Sequence, residues 1–72
     1  MPLTLMVNGE TRVLDPAPDP ASLAVVVALL ANNPQLVVAE HNGVIAPRSR
    51  WDSIVVKDDD TLEIVTIVGG GS

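Results

Sequence analysis

The chemistry this sequence can offer is concentrated at its end. Thr61-Leu62-Glu63-Ile64-Val65-Thr66-Ile67-Val68 is rich in β-branched residues and runs directly into Gly69-Gly70-Gly71-Ser72. An α-carboxylate has a pKa of about 3.5, so it is ionised at neutral pH and can attack an activated phosphate. Glycine has no Cβ, so the run cannot pack against the fold. Three extended glycines reach about 10 Å past the last packed side chain, as a thread thin enough for a narrow channel. The same run, taken alone, is equally the stub of a flexible chain end. The fold before it must decide between these readings.

The remaining reactive residues are sparse. His41 is the only histidine and sits in a predicted strand. One imidazole does not make a metal site, so a structural or surface role is expected. Asp58-Asp59-Asp60 is expected to be a solvated turn, since calcium loops space their ligands over a longer segment. Ser22, Ser49 and Ser53 have no base assigned to them, so nucleophilic catalysis has no support. Arg48 and Arg50 are either ordinary surface charges or groups that orient a partner's carboxylates. The sequence has no cysteine, hence no disulfide framework and no thiolate nucleophile or ligand.

These groups belong to a chain of 72 residues, enough for one small domain. Hydrophobic residues make up 47%, yet there is one Trp and no Phe or Tyr, so the core must be aliphatic. A net charge of −5 argues against binding nucleic acid or an anionic membrane and favours a basic protein surface. No apolar run approaches the roughly 20 residues of a membrane span, and the first residues carry no signal-peptide pattern. A cytoplasmic protein, monomeric when free, is expected.

The elements follow from local signals. Leu3, Leu5 and Val7 alternate with polar or flexible neighbours, as in a strand with one face inward. Asn8-Gly9 is a favoured hairpin turn, and Thr11-Arg12-Val13-Leu14 returns. Asp15-Pro16-Ala17-Pro18-Asp19-Pro20 is a loop, because its prolines remove amide donors. A helix follows to about Ala31, capped by Asp19 or, a turn later, by Ser22. Leu23, Val26, Val27 and Leu30 form its stripe, and Asn32-Asn33-Pro34 ends it. Leu36 to His41 is a third strand. Asn42-Gly43 is a second hairpin turn, with Val44-Ile45-Ala46 the short return. Trp51 is expected to cover one end of the core. Ile54 to Val56 is short extended chain, and Thr61 to Val68 is the last strand. Two hairpin turns, one helix and a final strand predict an α+β fold of the ubiquitin-like β-grasp type. It is a mixed sheet of four to five strands with one main helix packed on one face. Residues 1–68 form this domain, and 69–72 a flexible glycine tail.

On these residues the chain resembles the ThiS family, the small sulfur carriers of thiamine thiazole biosynthesis. The resemblance rests on Val7-Asn8-Gly9, Asn42-Gly43-Val44-Ile45, Pro47-Arg48 with Trp51, Val56 to Asp58 with Asp60, and the terminal glycines. Asp59 stands where the family's turn often has glycine, a change expected to matter little. Gly70-Gly71 fall on the family's terminal pair, and Ser72 stands one residue beyond it. Three accounts stay open: Ser72 is not native, it is trimmed before use, or the acting terminus is not Gly71.

The resemblance implies a chain that is not itself an enzyme. A ThiF-like adenylating enzyme, using ATP and Mg²⁺ that it holds itself, would convert the terminal carboxylate of Gly71 to an acyl-adenylate. A sulfur donor protein would make the thiocarboxylate, and a ThiG-like thiazole synthase would receive the sulfur. The chain has no cofactor of its own, and Gly70 and Gly71 are its working residues. Val65 and Ile67 lie on the opposite face of the last strand from Leu62 and Ile64, so they are candidate docking residues together with Arg48 and Arg50. The alternative is a central strand whose outer face is covered by flanking side chains. Rival functions are a molybdopterin-synthase small subunit, a ubiquitin-like modifier that forms isopeptides, and a regulatory module with an idle tail.

Overall fold

The computed structural model describes residues 1–67. Its elements are β1 (Leu3–Val7), β2 (Glu10–Leu14), α1 (Leu23–Leu30), β3 (Val37–His41), β4 (Val44–Ala46) and β5 (Thr61–Thr66), with 3₁₀ turns at Pro34–Leu36 and Arg48–Ser53. The strands form one five-stranded mixed sheet in the order β2-β1-β5-β3-β4. β1–β2, β3–β4 and β3–β5 are antiparallel, whereas β1 and β5 run parallel. The helix lies on one face, the β-grasp arrangement that the sequence predicts.

Both hairpins turn on Asn-Gly, and for the same reason. Asn8 and Gly9 have φ of 52° and 82°, and Asn42 and Gly43 have 52° and 85°. Two successive left-handed residues match the right-handed twist of a tight hairpin, and Asn and Gly tolerate that region best. Asp59 is the third non-glycine residue with positive φ, at 69°. This explains why a glycine would suit that position, while Asp, like Asn, is one of the few other residues that adopt the left-handed region readily.

The helix begins at the later of the two candidate caps. Ser22 has extended φ and ψ, and its Oγ accepts from the Val25 amide at 3.3 Å. The preceding backbone is held elsewhere: the Val56 amide donates to the Ala21 carbonyl, and the Leu23 amide to the Ile54 carbonyl. Residues 54–56 thus strap the helix start. Eight residues, several of them valine, are too short and too weakly helical to stand alone. Burial of Leu23, Val26 and Val27 against the sheet stabilises them instead.

The core is aliphatic apart from Trp51 and draws on every layer. Leu5, Leu23, Val26, Val27 and Leu62 are its most enclosed side chains. Trp51 is buried, as expected, and its Nε1–H donates to the Ala46 carbonyl at 2.9 Å. The 3₁₀ turn that carries it was not legible in Arg48-Ser49-Arg50-Trp51-Asp52, whose composition is polar. The other 3₁₀ turn takes Leu36, so β3 starts one residue later than the sequence suggests.

Candidate functional site

The predicted glycine tail lies outside the described residues, and the last described element before it is β5. The strand lies between β1 and β3 and is anchored at several levels. At its start, the Met6 amide donates to the Asp60 carbonyl and the Asn42 amide to the Thr61 carbonyl. At its far end, the Ile67 amide donates to the Leu36 carbonyl at 2.6 Å.

The middle of β5 is held by a side chain. Pairing with β1 stops at Val7↔Leu62, because the chain turns at Asn8. There the Asn8 carboxamide takes over. Its Nδ2–H donates to the Ile64 carbonyl at 3.0 Å, and its Oδ1 accepts from the Ile64 amide at 2.8 Å. One side chain thus supplies the donor and acceptor that a further β1 residue would have supplied. Asn42 acts in a related way at the other turn, its Oδ1 accepting from the Thr61 amide at 2.8 Å.

The acidic turn is more than a solvated run. Asp58 Oδ1 accepts from the Thr4 amide at 2.9 Å. Asp60 is a hub, with only 15% of its side chain exposed. Its Oδ2 lies 2.7 Å from His41 Nε2 and accepts from the Lys57 amide at 2.9 Å, while Oδ1 accepts from Asn42 Nδ2 at 3.2 Å. Burial pushes the Asp60 pKa up, but the hydrogen bonds from His41, Lys57 and Asn42, with the charge on His41, outweigh it and hold the carboxyl below its ordinary value. His41 therefore has a structural role, tying β3 to the turn that launches β5. Its partner was in plain view in the sequence, but only the topology brings positions 41 and 60 together.

Catalytic chemistry finds little support among the described residues. They contain no group of three or more His, Cys, Asp or Glu placed to hold a metal ion. Ser22 is engaged as the helix cap, and the Ser53 hydroxyl donates to the Arg50 carbonyl.

The sheet face away from the helix is open. Val65 is 61% exposed and Ile67 53%, so flanking side chains do not cover them. Val38 lies directly across from Val65 in the β3–β5 pairing. Ile45, 64% exposed, continues the face on β4, and Met6 on β1. Glu40 and Glu63 are also paired across β3 and β5, next to the valine pair. Arg48 sits elsewhere and works within the fold. Its Nη1 donates to the Pro34 carbonyl and its Nη2 to the Val37 carbonyl, both at 3.0 Å, and the guanidinium carbon lies 4.5 Å from the Trp51 ring centre. This clamp gives Pro47-Arg48 with Trp51 its physical meaning. Arg50 lines a cleft of about 300 Å³ with His41, Val44, Ile45 and Pro47, beside β4 and sharing Ile45 with the open face. Gly70 and Gly71 lie outside the described residues, as does the predicted end of the last strand at Val68.

The family model that matches is that of the ThiS family, over residues 5–71. The chain is 33% identical over 69 residues to the uncharacterized protein ycf40 of Pyropia yezoensis, covering 96% of this chain and 93% of that one. To the protein of the same name from Trieres chinensis it is 46% identical over 39 residues, and the match spans about half of each, 54% and 53%. It is also 38% identical over 72 residues to a thiazole synthase of Paramagnetospirillum magneticum, where the match takes in 97% of this chain but 21% of that protein. Among solved structures, the thiamine biosynthesis protein ThiS of Geobacter metallireducens superposes with a TM-score of 0.78 at 30% identity, over 96% of this chain and all of that one.

Proposed function

The chain belongs to the ThiS family, and we propose that it is the sulfur carrier of thiazole formation in thiamine biosynthesis. The observation that carries this reading is the family match itself, which runs from β1 through Gly71 and so takes in both the folded handle and the glycine end. The proposed chemistry is simple in what it asks of this chain. The carboxylate of Gly71 attacks the α-phosphorus of ATP on an adenylating enzyme, and pyrophosphate leaves. Sulfide-level sulfur released by a donor protein then attacks the carbonyl carbon as hydrosulfide, forming the C–S bond as AMP leaves. The product is a thiocarboxylate that a thiazole synthase consumes.

In this account ATP and Mg²⁺ belong to the adenylating enzyme, and the chain is a co-substrate with no cofactor of its own. It presents Gly70 and Gly71 on a thread beyond β5 and docks through Val65 and Ile67, with Arg50 beside a second cleft. The likeness to a thiazole synthase favours the thiamine branch over the molybdopterin one. We place the carrier in the cytoplasm as a free monomer. None of the described helices is long and apolar enough to cross a membrane.

The test is intact mass. Incubation with the adenylating enzyme of the same genome, ATP and a sulfur donor should exchange one terminal oxygen for sulfur. Forms ending at Gly71 and at Ser72, assayed side by side, identify the acting terminus. Gly71→Leu should abolish the exchange with an unchanged melting temperature. Adducts on target lysines in place of the exchange would refute the carrier reading in favour of a modifier.

A further inference from the structure

Taking the carrier reading as its premise, we infer that the open sheet face docks a protein surface on which an arginine is flanked by aliphatic side chains, its guanidinium seated between Glu40 and Glu63. The starting point is a defect in the free protein. Glu40 and Glu63 are register partners on adjacent antiparallel strands. Side chains so placed have Cβ atoms about 4.5–5.5 Å apart, and like charges there destabilise the sheet. No ion pair among the described residues offsets this repulsion; the one such pair is His41 with Asp60. None of the chain's own cations forms an ion pair with either glutamate among the described residues. Arg48 is bound to the Pro34 and Val37 carbonyls, Arg50 lines the cleft beside β4, Arg12 lines a cleft near the helix end, and Lys57 is in the turn before β5.

The surroundings define what would relieve the repulsion. Along the sheet, Ile45 is the partner of Glu40 on β4, so Ile45, Glu40 and Glu63 form a row across three strands. The adjacent row is Val38 and Val65, exposed by 38% and 61%. A partner must therefore bring one positive group against two carboxylates and apolar surface against the row beside them. Arginine suits this better than lysine. Its planar fork can donate to two carboxylates at once, and its weak hydration lowers the penalty of leaving water. Aliphatic residues around it would exclude water over Val38, Val65 and Ile45 and strengthen the charge interaction. The net charge of −5 would steer such a basic surface toward the chain.

This arrangement makes two effects run in opposite directions, which a merely structural role for the glutamates would not. Glu40→Gln and Glu63→Gln, singly and together, should leave the melting temperature equal to or higher than that of the wild type, because the repulsion is gone. The same variants should bind the adenylating enzyme of the same genome more weakly in calorimetric titration. We expect a loss of about tenfold for the pair, equivalent to about 1.4 kcal/mol, and a flatter dependence of affinity on salt. Sulfur transfer to the tail, followed by intact mass, should then show a raised half-saturating carrier concentration with an unchanged maximal rate. Equal affinity of the double variant and the wild type overturns the inference, and so does a lower melting temperature of the variants. If the double variant acquires sulfur as the wild type does at every concentration, the docking inference fails while the carrier reading stands. If the wild type acquires none, the carrier reading fails and the inference falls with it.

Discussion

Replacing Asn8 tests whether a side chain can stand in for a strand. Its carboxamide makes two hydrogen bonds to the Ile64 backbone, at 3.0 and 2.8 Å, and its own backbone sits at φ 52°. The bonds are exposed, so water partly replaces them on deletion, and each contributes about 0.5–1 kcal/mol. Alanine at a left-handed position adds about 1 kcal/mol of strain. Asn8→Ala should therefore destabilise the domain by about 2–3 kcal/mol. Asn8→Gly loses the bonds but not the backbone fit, so it should cost about 1–2 kcal/mol. For a domain of this size 1 kcal/mol moves the melting temperature by about 4–8 °C. The alanine variant should melt roughly 10–20 °C lower than the wild type, and the glycine variant roughly midway. Asn8→Asp keeps the acceptor for the Ile64 amide but sets a carboxylate oxygen against the Ile64 carbonyl, so it should fall below Asn8→Gly in stability at neutral pH. Thermal unfolding gives these values, and hydrogen exchange adds a local readout: the Ile64 amide should lose protection first. An alanine variant within about 0.5 kcal/mol of wild type, the range of ordinary surface changes, with Ile64 still protected, would refute the idea that Asn8 extends the β1 ladder.

Two further predictions concern the anchors of β3 and β5. The folded-state pKa of Asp60 is lowered from 3.8, so its contribution is fully present above that value and is lost as pH falls through the lowered one. Unfolding free energy below about pH 4 should drop more steeply for the wild type than for Asp60→Asn, a slope that urea titrations across the acid range would measure. Arg48→Lys keeps the charge but cannot donate from a rigid fork to two carbonyls while stacking on Trp51. Denaturant unfolding should show a loss of about 1–2 kcal/mol, small for a doubly bonded group because Arg48 is exposed.

Much of the fold could be read from local chemistry. Asn8-Gly9 and Asn42-Gly43 announce both hairpins, and the period-two pattern of Leu3, Leu5 and Val7 fixes which face is buried. The opposed faces of Leu62 and Val65 follow from the same alternation. What could not be read was of two kinds. The 3₁₀ turn of residues 48–53 has no period in its sequence and exists because Trp51 is buried and Arg48 is bound to Pro34 and Val37. The pairing of His41 with Asp60, and of Glu40 with Glu63, arises only when β5 is inserted beside β3. Register between strands distant in sequence is not encoded in either strand alone.

The position of β5 has a mechanical consequence. Among the described residues the β1–β2 hairpin and the β3–β4 hairpin share no backbone hydrogen bonds, and β5 joins them within the sheet. Its register partners come from the first strand on one side, Met6 and Val7, and from the middle of the chain on the other, Val37 to His41. A fluctuation that frees β5 would release both halves at once, so the sheet should yield as a single cooperative unit, and a pull applied beyond Ile67 would load that strand before any other part of the molecule.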